Sequence, residues 1–425
     1  MDSKSTKSNF GKWGWSTIIY CAISYYIAAA LATDTLSWYP AAFAQLRGWG
    51  DDLPNLANAM TGVAGWISVL GAFVFSVLAA FVFSVLAAKK GSRWMAVFGN
   101  VICGIGALVF ARTQSLPVFL AMIVVLVVVG GTIQVNIVPN NLMNIWFPKK
   151  KGLALGWASM GLPLCTATII LFLNGVGNPQ TGYTIIGIAC FVLTALSIVW
   201  VKNEPEEVGA TPDNEPVDVE AAEAMLKAQE EEAEKLTLPV LAKNPNTWFI
   251  GFGHGLLWMT TIGLVSNMVT RFIQLGIEPN LAILMMTVAA LFGIVGSYIW
   301  GWIDQKFVTK NASLIYGCWY IVSLLLMIFN NGSLPMTVLC AFFVGFGIGG
   351  IGNLIPSMIG TCFGRFGFIQ ANRLIAPVNT LIRCTGLIII GIVGVSRLTV
   401  SYWIFMAGTI IAIFLISRIK EPERA

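Results

Sequence analysis

Twelve runs of about twenty residues with almost no charge, six on either side of a short acidic stretch, leave this chain very few folds to choose from. A run of that length crosses the ~30 Å hydrocarbon core of a bilayer as a single helix. The runs fall near residues 16–40, 55–88, 94–111, 116–145, 152–173 and 182–201, then near 246–273, 280–303, 311–329, 335–361, 370–396 and 399–417; they are numbered here as spans 1 to 12. Lipid offers no partner to a backbone N–H or C=O, so each span has to be helical. The many glycines and small residues suit helices that press closely together. Composition agrees: 57% hydrophobic and 11% charged residues, against roughly 25% charged in a soluble domain, leave no water-soluble way to hide the apolar surface. The expected fold is an all-α membrane protein with 12 transmembrane helices. They form an N-terminal six-helix bundle over residues 1–201, a cytoplasmic acidic linker over 202–243 and a C-terminal six-helix bundle over 244–425.

The linker holds 12 of the 20 acidic side chains. Its stretch VEAAEAMLKAQEEEAEKL, residues 219–236, is rich in Ala and Glu and predicts a short amphipathic helix. A solvated tether is the plainer role for it, and partner binding the alternative. With the N-terminus placed in the cytoplasm, 20 of the 25 basic residues fall on the inner side, among them Lys89, Lys90, Arg93, Lys149, Lys150, Lys151, Lys306 and Lys310. Excess Lys and Arg mark cytoplasmic loops. Both termini and the linker are therefore expected inside a cell membrane, and the net charge of +5 reports topology, not nucleic-acid binding. The start MDSKSTKSNFGKW is polar and the run after it too long for a signal-peptide core, so no cleaved leader is expected. The eight cysteines show no CxxC spacing and lie in apolar runs, which reads as buried small hydrophobes without a metal or disulfide.

An internal repeat relates the halves, as in transporters whose halves are related by a pseudo-two-fold axis along the membrane normal. A shift of 217 residues lays Asn136-Ile-Val-Pro139 on Asn353-Leu-Ile-Pro356, Lys89 on Lys306 and Arg93 on Lys310. It also lays Ala87 on Asp304, so the first half lacks that carboxylate. One feature breaks the symmetry: the octamer FVFSVLAA occupies 73–80 and again 81–88. The extra eight residues add about 12 Å of helix to span 2, which must protrude, tilt or bulge.

At this point the residues resemble a family. The segment Trp146-Phe147-Pro148-Lys149-Lys150-Lys151-Gly152-Leu153-Ala154-Leu155-Gly156 and Asp304-Gln305-Lys306, in a 6 + 6 plan, are similar to the major facilitator superfamily, closest to its oxalate/formate antiporter and monocarboxylate porter branch. The resemblance implies two bundles that rock about a central site lined by spans 1, 4, 7 and 10, with contributions from 5, 8 and 11. It also implies that the loop carboxylate missing from the first half matters to the inner gate.

Polar groups inside the apolar runs are the candidate site, because an ionisable group at mid-bilayer costs at least a few kcal/mol and asks for a partner or a function. Arg383 lies near the middle of span 11. Asn372, Asn379 and Arg383 fall within about 40° of one helix face. A guanidinium there can grip a carboxylate through two parallel hydrogen bonds; the competing reading is a structural charge paired with Asp34 or with backbone carbonyls. Asp34, in LATDTLSWYP, is the acidic residue read as lying inside an apolar span, and is a candidate proton carrier or merely a hydrated group near the outer surface. His254, the sole histidine, could relay protons or bind an anion, or be a satisfied packing residue. Trp258, one turn on, offers a stacking wall or ordinary packing. Asn136 and Asn353 are candidate lining amides, and Pro139 and Pro356, with the glycines of span 10, would loosen gating helices; bridging between helices is the alternative. Asp304, Lys306 and Lys310 are expected at a cytoplasmic gate.

Other classes fit poorly. A nucleotide-driven pump would need a GxxxxGK[ST] loop, and an intramembrane enzyme a richer catalytic set than one His and one Asp. The reading is a secondary transporter of a small organic monoanion, a monocarboxylate, coupled to protons or to exchange of a counter-anion, acting as a monomer without cofactor. Family members that carry oxalate look as though they use two cations, and span 8 has none, which argues against a divalent substrate. Proton-coupled efflux of amphipathic drug-like compounds is the alternative.

Overall fold

The computed structural model describes residues 9–32, 34–35, 39–50, 53, 56, 60, 83–216 and 219–421. Most of span 2 and of the octamer repeat lies outside the described residues, which there comprise 56, 60 and the helical backbone of 83–88. Eleven helices among the described residues are long and apolar enough to cross a membrane. Five precede the linker: Gly11–Leu31, Gly91–Arg112, Leu116–Trp146, Lys151–Val176 and Pro179–Trp200. Six follow it: Pro245–Ser266, Pro279–Phe307, Thr309–Phe329, Leu334–Phe363, Gly367–Ile390 and Leu398–Ser417. Large apolar side chains such as Leu171, Val199, Ile283, Phe329, Ile392 and Phe414 point outward, a surface that water would not tolerate and lipid does. The chain is an all-α, multi-pass membrane protein.

Helix starts follow local sequence. Asn178 accepts from the N–H of Gln180 at 2.9 Å and of Thr181 at 3.3 Å ahead of Pro179, and Asn244 accepts from Asn246 at 3.0 Å ahead of Pro245. An Asn cap followed by Pro satisfies one orphan donor and removes another. The 217-residue repeat is also written in the backbone. Gly91 (φ 66°) interrupts the helix Phe83–Arg112, and its counterpart Val308 (φ 71°) separates spans 8 and 9. Glycine takes this conformation at little cost, whereas a β-branched residue there is strained by about 1–3 kcal/mol.

The described residues fall into two compact units. One comprises Phe10–Trp146 and Leu164–Asn214, the other Phe147–Pro163 and Glu215–Ala425 with the first residues of the chain. In the first, spans 3 and 6 run side by side, and a Cβ on Gly187 would lie 3.0 Å from Leu108 Cδ2. Its core holds an uncharged network. Tyr20 and Ser197 share a hydrogen bond of 2.8 Å, Asn100 Nδ2 donates to both at 3.1 and 2.9 Å, Gln134 Nε2 donates to Asn100 Oδ1, and Ser24 donates to the Gln134 carbonyl at 3.1 Å. At one end, Arg47 donates to the carbonyls of Phe110 and Ala111, capping the C-terminus of span 3. It does so among the rings of Phe43, Trp49 and Phe119.

In the second unit the glycines of span 10 serve close packing. A Cβ on Gly347 would lie 2.9 Å from the Tyr320 ring, and one on Gly345 or Gly349 would run into the backbone of span 8. Trp300, Tyr316 and Trp319 donate to the carbonyls of Phe346, Gly347 and Phe343 at 2.8–3.0 Å. The linker is helical over Val219–Glu234, as its composition predicts. Its first part is docked more firmly than a solvated tether: Glu207 pairs with Arg93 at 3.1 Å, and the Lys202 carbonyl accepts from Trp146 Nε1 at 3.1 Å. Of the cysteines, Cys318 is exposed, contrary to the expectation of uniform burial; beside lipid an exposed thiol is as well accommodated as a buried one.

Candidate functional site

Spans 7 and 11 meet through glycine. A Cβ on Gly251 would lie 3.0 Å from Val378 Cγ1, one on Gly255 3.0 Å from Ile382 Cβ, and one on Gly386 2.7 Å from the Met259 carbonyl. The four-residue spacing of Gly251 and Gly255 is the small-residue stripe that lets two helices approach in lipid. At the edge of this contact the Arg383 guanidinium lies 4.5 Å from the centroid of the Trp258 ring, and both residues are half-buried. One turn back along span 11, Asn379 is 3% exposed, and neither its Oδ1 nor its Nδ2 has a hydrogen-bond partner in the protein. Asn379 and Arg383, four residues apart, share one face of span 11. The result is a cation held against an aromatic wall, one helical turn from an amide with an open donor and an open acceptor.

The other predicted lining residues make polar contacts within the protein, His254 and Asn353 between helices and Asn136 within its own. His254 is fully buried, its Nε2 3.2 Å from Ser313 Oγ of span 9. Asn353 is fully buried too: its Nδ2 donates to Ser297 O at 2.7 Å and its Oδ1 accepts from Ser159, so it ties span 10 to spans 8 and 5. Its repeat mate Asn136 lies in the other unit and donates to the Gly131 carbonyl. Asn136 stands in a π-helical stretch, Gly130–Ile137, which ends where Pro139 withdraws its donor from span 4. Pro356 sits within a continuous α-helix instead. Around Pro139 the amides form a ladder, with Tyr25 OH donating to Asn140 Oδ1 at 2.6 Å and Asn141 Nδ2 to Ser92 Oγ at 2.8 Å.

Asp34 is corrected in position. Span 1 ends as a helix at Ala32, and Asp34 stands in the turn beyond it, its N–H donating to Ala29 O at 3.0 Å. The helix ends here because short polar side chains compete for its carbonyls: Thr35 Oγ1 donates to Ala30 O at 2.9 Å. The Asp34 carboxylate accepts from Thr166 Oγ1 of span 5 at 2.7 Å.

Asp304 is 1% exposed, inside the helix Pro279–Phe307. Its Oδ2 lies 2.5 Å from where a Cβ on Gly152 would stand, in the first turn of the helix Lys151–Ser159. A carboxylate at a helix N-terminus is favoured by the exposed N–H groups and the helix dipole. The two helices touch backbone to backbone: a Cβ on Gly156 would lie 2.9 Å from Ser297 O, and one on Gly301 2.9 Å from Gly156 Cα. Gln305 Nε2 donates to Lys149 O at 2.8 Å. The two lysines expected beside Asp304 go elsewhere. Lys306 lies over the rings of Trp302 and Phe307, and Lys310 Nζ donates to Ile419 O at 2.9 Å. Lys149 and Lys150 grip Glu215 at 3.0 and 3.3 Å.

A family model described as the Major Facilitator Superfamily matches residues 14–371. The chain belongs to this superfamily. Two solved structures share its fold. The proton:xylose symporter XylE, bound to 6-bromo-6-deoxy-D-glucose, has a TM-score of 0.74 at 12% identity over 96% of this chain and 95% of that one. The human organic anion transporter MFSD10 (TETRAN) has a TM-score of 0.70 at 12% identity over 95% of this chain and 99% of that one. No curated protein sequence matches the chain. Among the superfamily's transporters, then, this chain is placed by fold, and its substrate has to be argued from its own residues.

Two groups of residues escaped the sequence reading. The Tyr20–Asn100–Gln134–Ser197 network draws on four spans, and no spacing along one helix reveals such a meeting. Ser159 and Gly301 were equally silent, although the pair Gly152 and Gly156 carries the small-residue spacing of a close helix contact.

Proposed function

We propose that this transporter carries a small organic monoanion, a monocarboxylate, by alternating access. The observation that carries the reading is Arg383, half-buried against Trp258, with the open amide of Asn379 one turn away on the same helix. A guanidinium in a low-dielectric site favours a carboxylate, whose geometry matches its fork, and one such cation suits one negative charge. We assign Asp34 to proton coupling: it is an acidic side chain at the end of span 1 whose carboxylate accepts a hydrogen bond from the neutral Thr166 hydroxyl of span 5. Both termini face the cytoplasm of a cell membrane, and the protein works as a monomer.

The deciding experiment is equilibrium binding of carboxylates to purified parent protein and to folded Arg383→Ala. Truncating one partner of a buried charge pair costs roughly 2 to 5 kcal/mol, so binding should fall by about 30-fold or more, and Arg383→Lys should fall between the two. Unchanged affinity would make Arg383 structural and move the efflux of amphipathic compounds ahead. Asp34→Asn should bind the carboxylate at least as well as the parent while losing proton-driven accumulation in liposomes; accumulation at the parent rate would remove Asp34 from coupling.

A further inference from the structure

The second unit holds another cation, at the end opposite the linker. Arg271 stands in the short helix Met268–Gln274 that follows span 7. It is half-buried, and its Nε is buried without a hydrogen-bond partner. Among the described residues no carboxylate pairs with it. The nearest acidic residue along the chain, Glu278, instead caps span 8, accepting from Leu281 N–H at 3.0 Å and Asn280 Nδ2 at 2.9 Å. Tyr402, near the start of span 12, is fully buried and its hydroxyl also lacks a partner. Cys340 of span 10 is fully buried as well, its Sγ accepting from Asn330 Nδ2 at 3.5 Å. Arg271 is close enough to act electrostatically on both Tyr402 and Cys340. The packing agrees. A Cβ on Gly332 would run into the carbonyl of Leu275, one turn from Arg271, and the rings of Phe329 and Trp403 bring spans 9 and 12 together with centroids 6.5 Å apart.

We propose that Arg271 and the Tyr402 hydroxyl hold a small inorganic monoanion, a halide such as chloride, inside the second unit. A charge withdrawn from water needs a counter-charge, and a buried hydroxyl without a partner is costly. One anion completes both. The groups that meet here are donors: a guanidinium offers five N–H groups and no acceptor, a phenol one hydrogen and a thiol a weak one. A single guanidinium offsets one negative charge, which argues against sulfate or a phosphate dianion. Tyr402 and Cys340 are both 0% exposed, and an enclosed place favours a monatomic ion, which takes donors from any direction and brings no carbon chain to be housed. The bound ion would tie the end of span 7 to the start of span 12. Arg271 lies 13 residues beyond Trp258, about 20 Å along the helix direction, so this site is separate from the one on spans 7 and 11.

The test uses the purified full chain in detergent at one ionic strength, with sodium methanesulfonate replaced stepwise by sodium chloride or sodium bromide. The melting temperature should rise saturably with either halide, by about 2 °C or more, and radiolabelled chloride should bind. Arg271→Gln should weaken chloride by roughly tenfold or more. Tyr402→Phe, which keeps the ring and drops the hydroxyl, should weaken it by about threefold or more, and it decides the matter if Arg271→Gln fails to fold. Equal melting temperatures in all three salts would overturn the proposal, as would a halide effect that both variants keep. Stabilisation that needs added phospholipid would assign Arg271 to a lipid phosphate and overturn it too. Propanoate should leave the labelled chloride in place; displacement would make this a second seat for a carboxylate and sink the halide assignment. Carboxylate binding to the parent is measured alongside, so loss of the halide site leaves the reading of Arg383 standing.

Discussion

Replacing Gly301 by alanine should loosen the contact between spans 5 and 8, and the size of the effect follows from what the added methyl meets. Its three nearest neighbours are backbone atoms: the Gly152 carbonyl, Gly156 Cα at 2.9 Å and Gly156 N at 3.2 Å. None of them is the end of a flexible side chain, so relief requires the helices to part. Overpacking of this kind costs about 1–3 kcal/mol, which is roughly a 5- to 140-fold loss in the population of the packed arrangement. Parting the helices would also lift the first turn of Lys151–Ser159 off the Asp304 carboxylate. Gly352→Ala is the internal control, because its methyl would meet Ser159 Cβ at 3.6 Å and Leu162 Cδ1 at 3.8 Å, ordinary contacts on the same helix. The assay is alkylation of a thiol at position 159, introduced as Ser159→Cys where the parent side chain is 2% exposed, together with the melting temperature in detergent. Gly301→Ala should raise the alkylation rate by at least fivefold and lower the melting temperature, whereas Gly352→Ala should do neither. Matching rates and melting temperatures for the two variants would refute the claim that this backbone contact holds spans 5 and 8 closed.

Two further outcomes are expected. Asp304→Asn keeps the shape of the side chain but removes the charge at the helix N-terminus, worth about 0.3–2 kcal/mol; flux in liposomes should slow while ligand affinity stays within a few-fold, and a large affinity loss with normal exchange at saturation would move Asp304 into the binding site. The Glu215 contact should respond to acid. Burial alone would raise its pKa, but hydrogen bonds to Lys149 and Lys150, and the charge of both lysines, outweigh it and hold the carboxyl below its ordinary value. A lowered native pKa means the contact is intact above the ordinary carboxylate value of about 4.3 and is lost only as pH falls through the lowered one. Limited proteolysis of the linker should thus be flat from pH 7 to about 4.5 and rise below it, while Glu215→Gln is cut faster throughout; release already at pH 6 would show that another group holds the linker.

The apolar spans, the central acidic stretch and the internal repeat were legible in the sequence because each depends on a local quantity: hydropathy over twenty residues, charge over forty, or identity at a fixed offset. The end of span 1 was not legible. Asp34 and its threonines lie within an apolar run, and only the carbonyls available at Ala29 and Ala30 turn the helix into a turn. The polar stripe on span 11 could be drawn on a helical wheel, yet the same wheel treated Asn372, Asn379 and Arg383 alike. Tertiary packing singled out Arg383 by setting Trp258 of another helix against it, and Asn379 by burying it without a partner. It also divided polar side chains that looked equivalent along the chain, spending the Asn353 amide on Ser297 and Ser159 and His254 Nε2 on Ser313. Likewise it separated Asp304 from Lys306 and Lys310, neighbours along the chain, because the backbone-tight approach of Gly152 and Gly156 to span 8 places a helix N-terminus over the carboxylate alone. Hydropathy tells a helix that it must be buried in lipid, but which of its polar groups are used up and which stay open depends on partners hundreds of residues away.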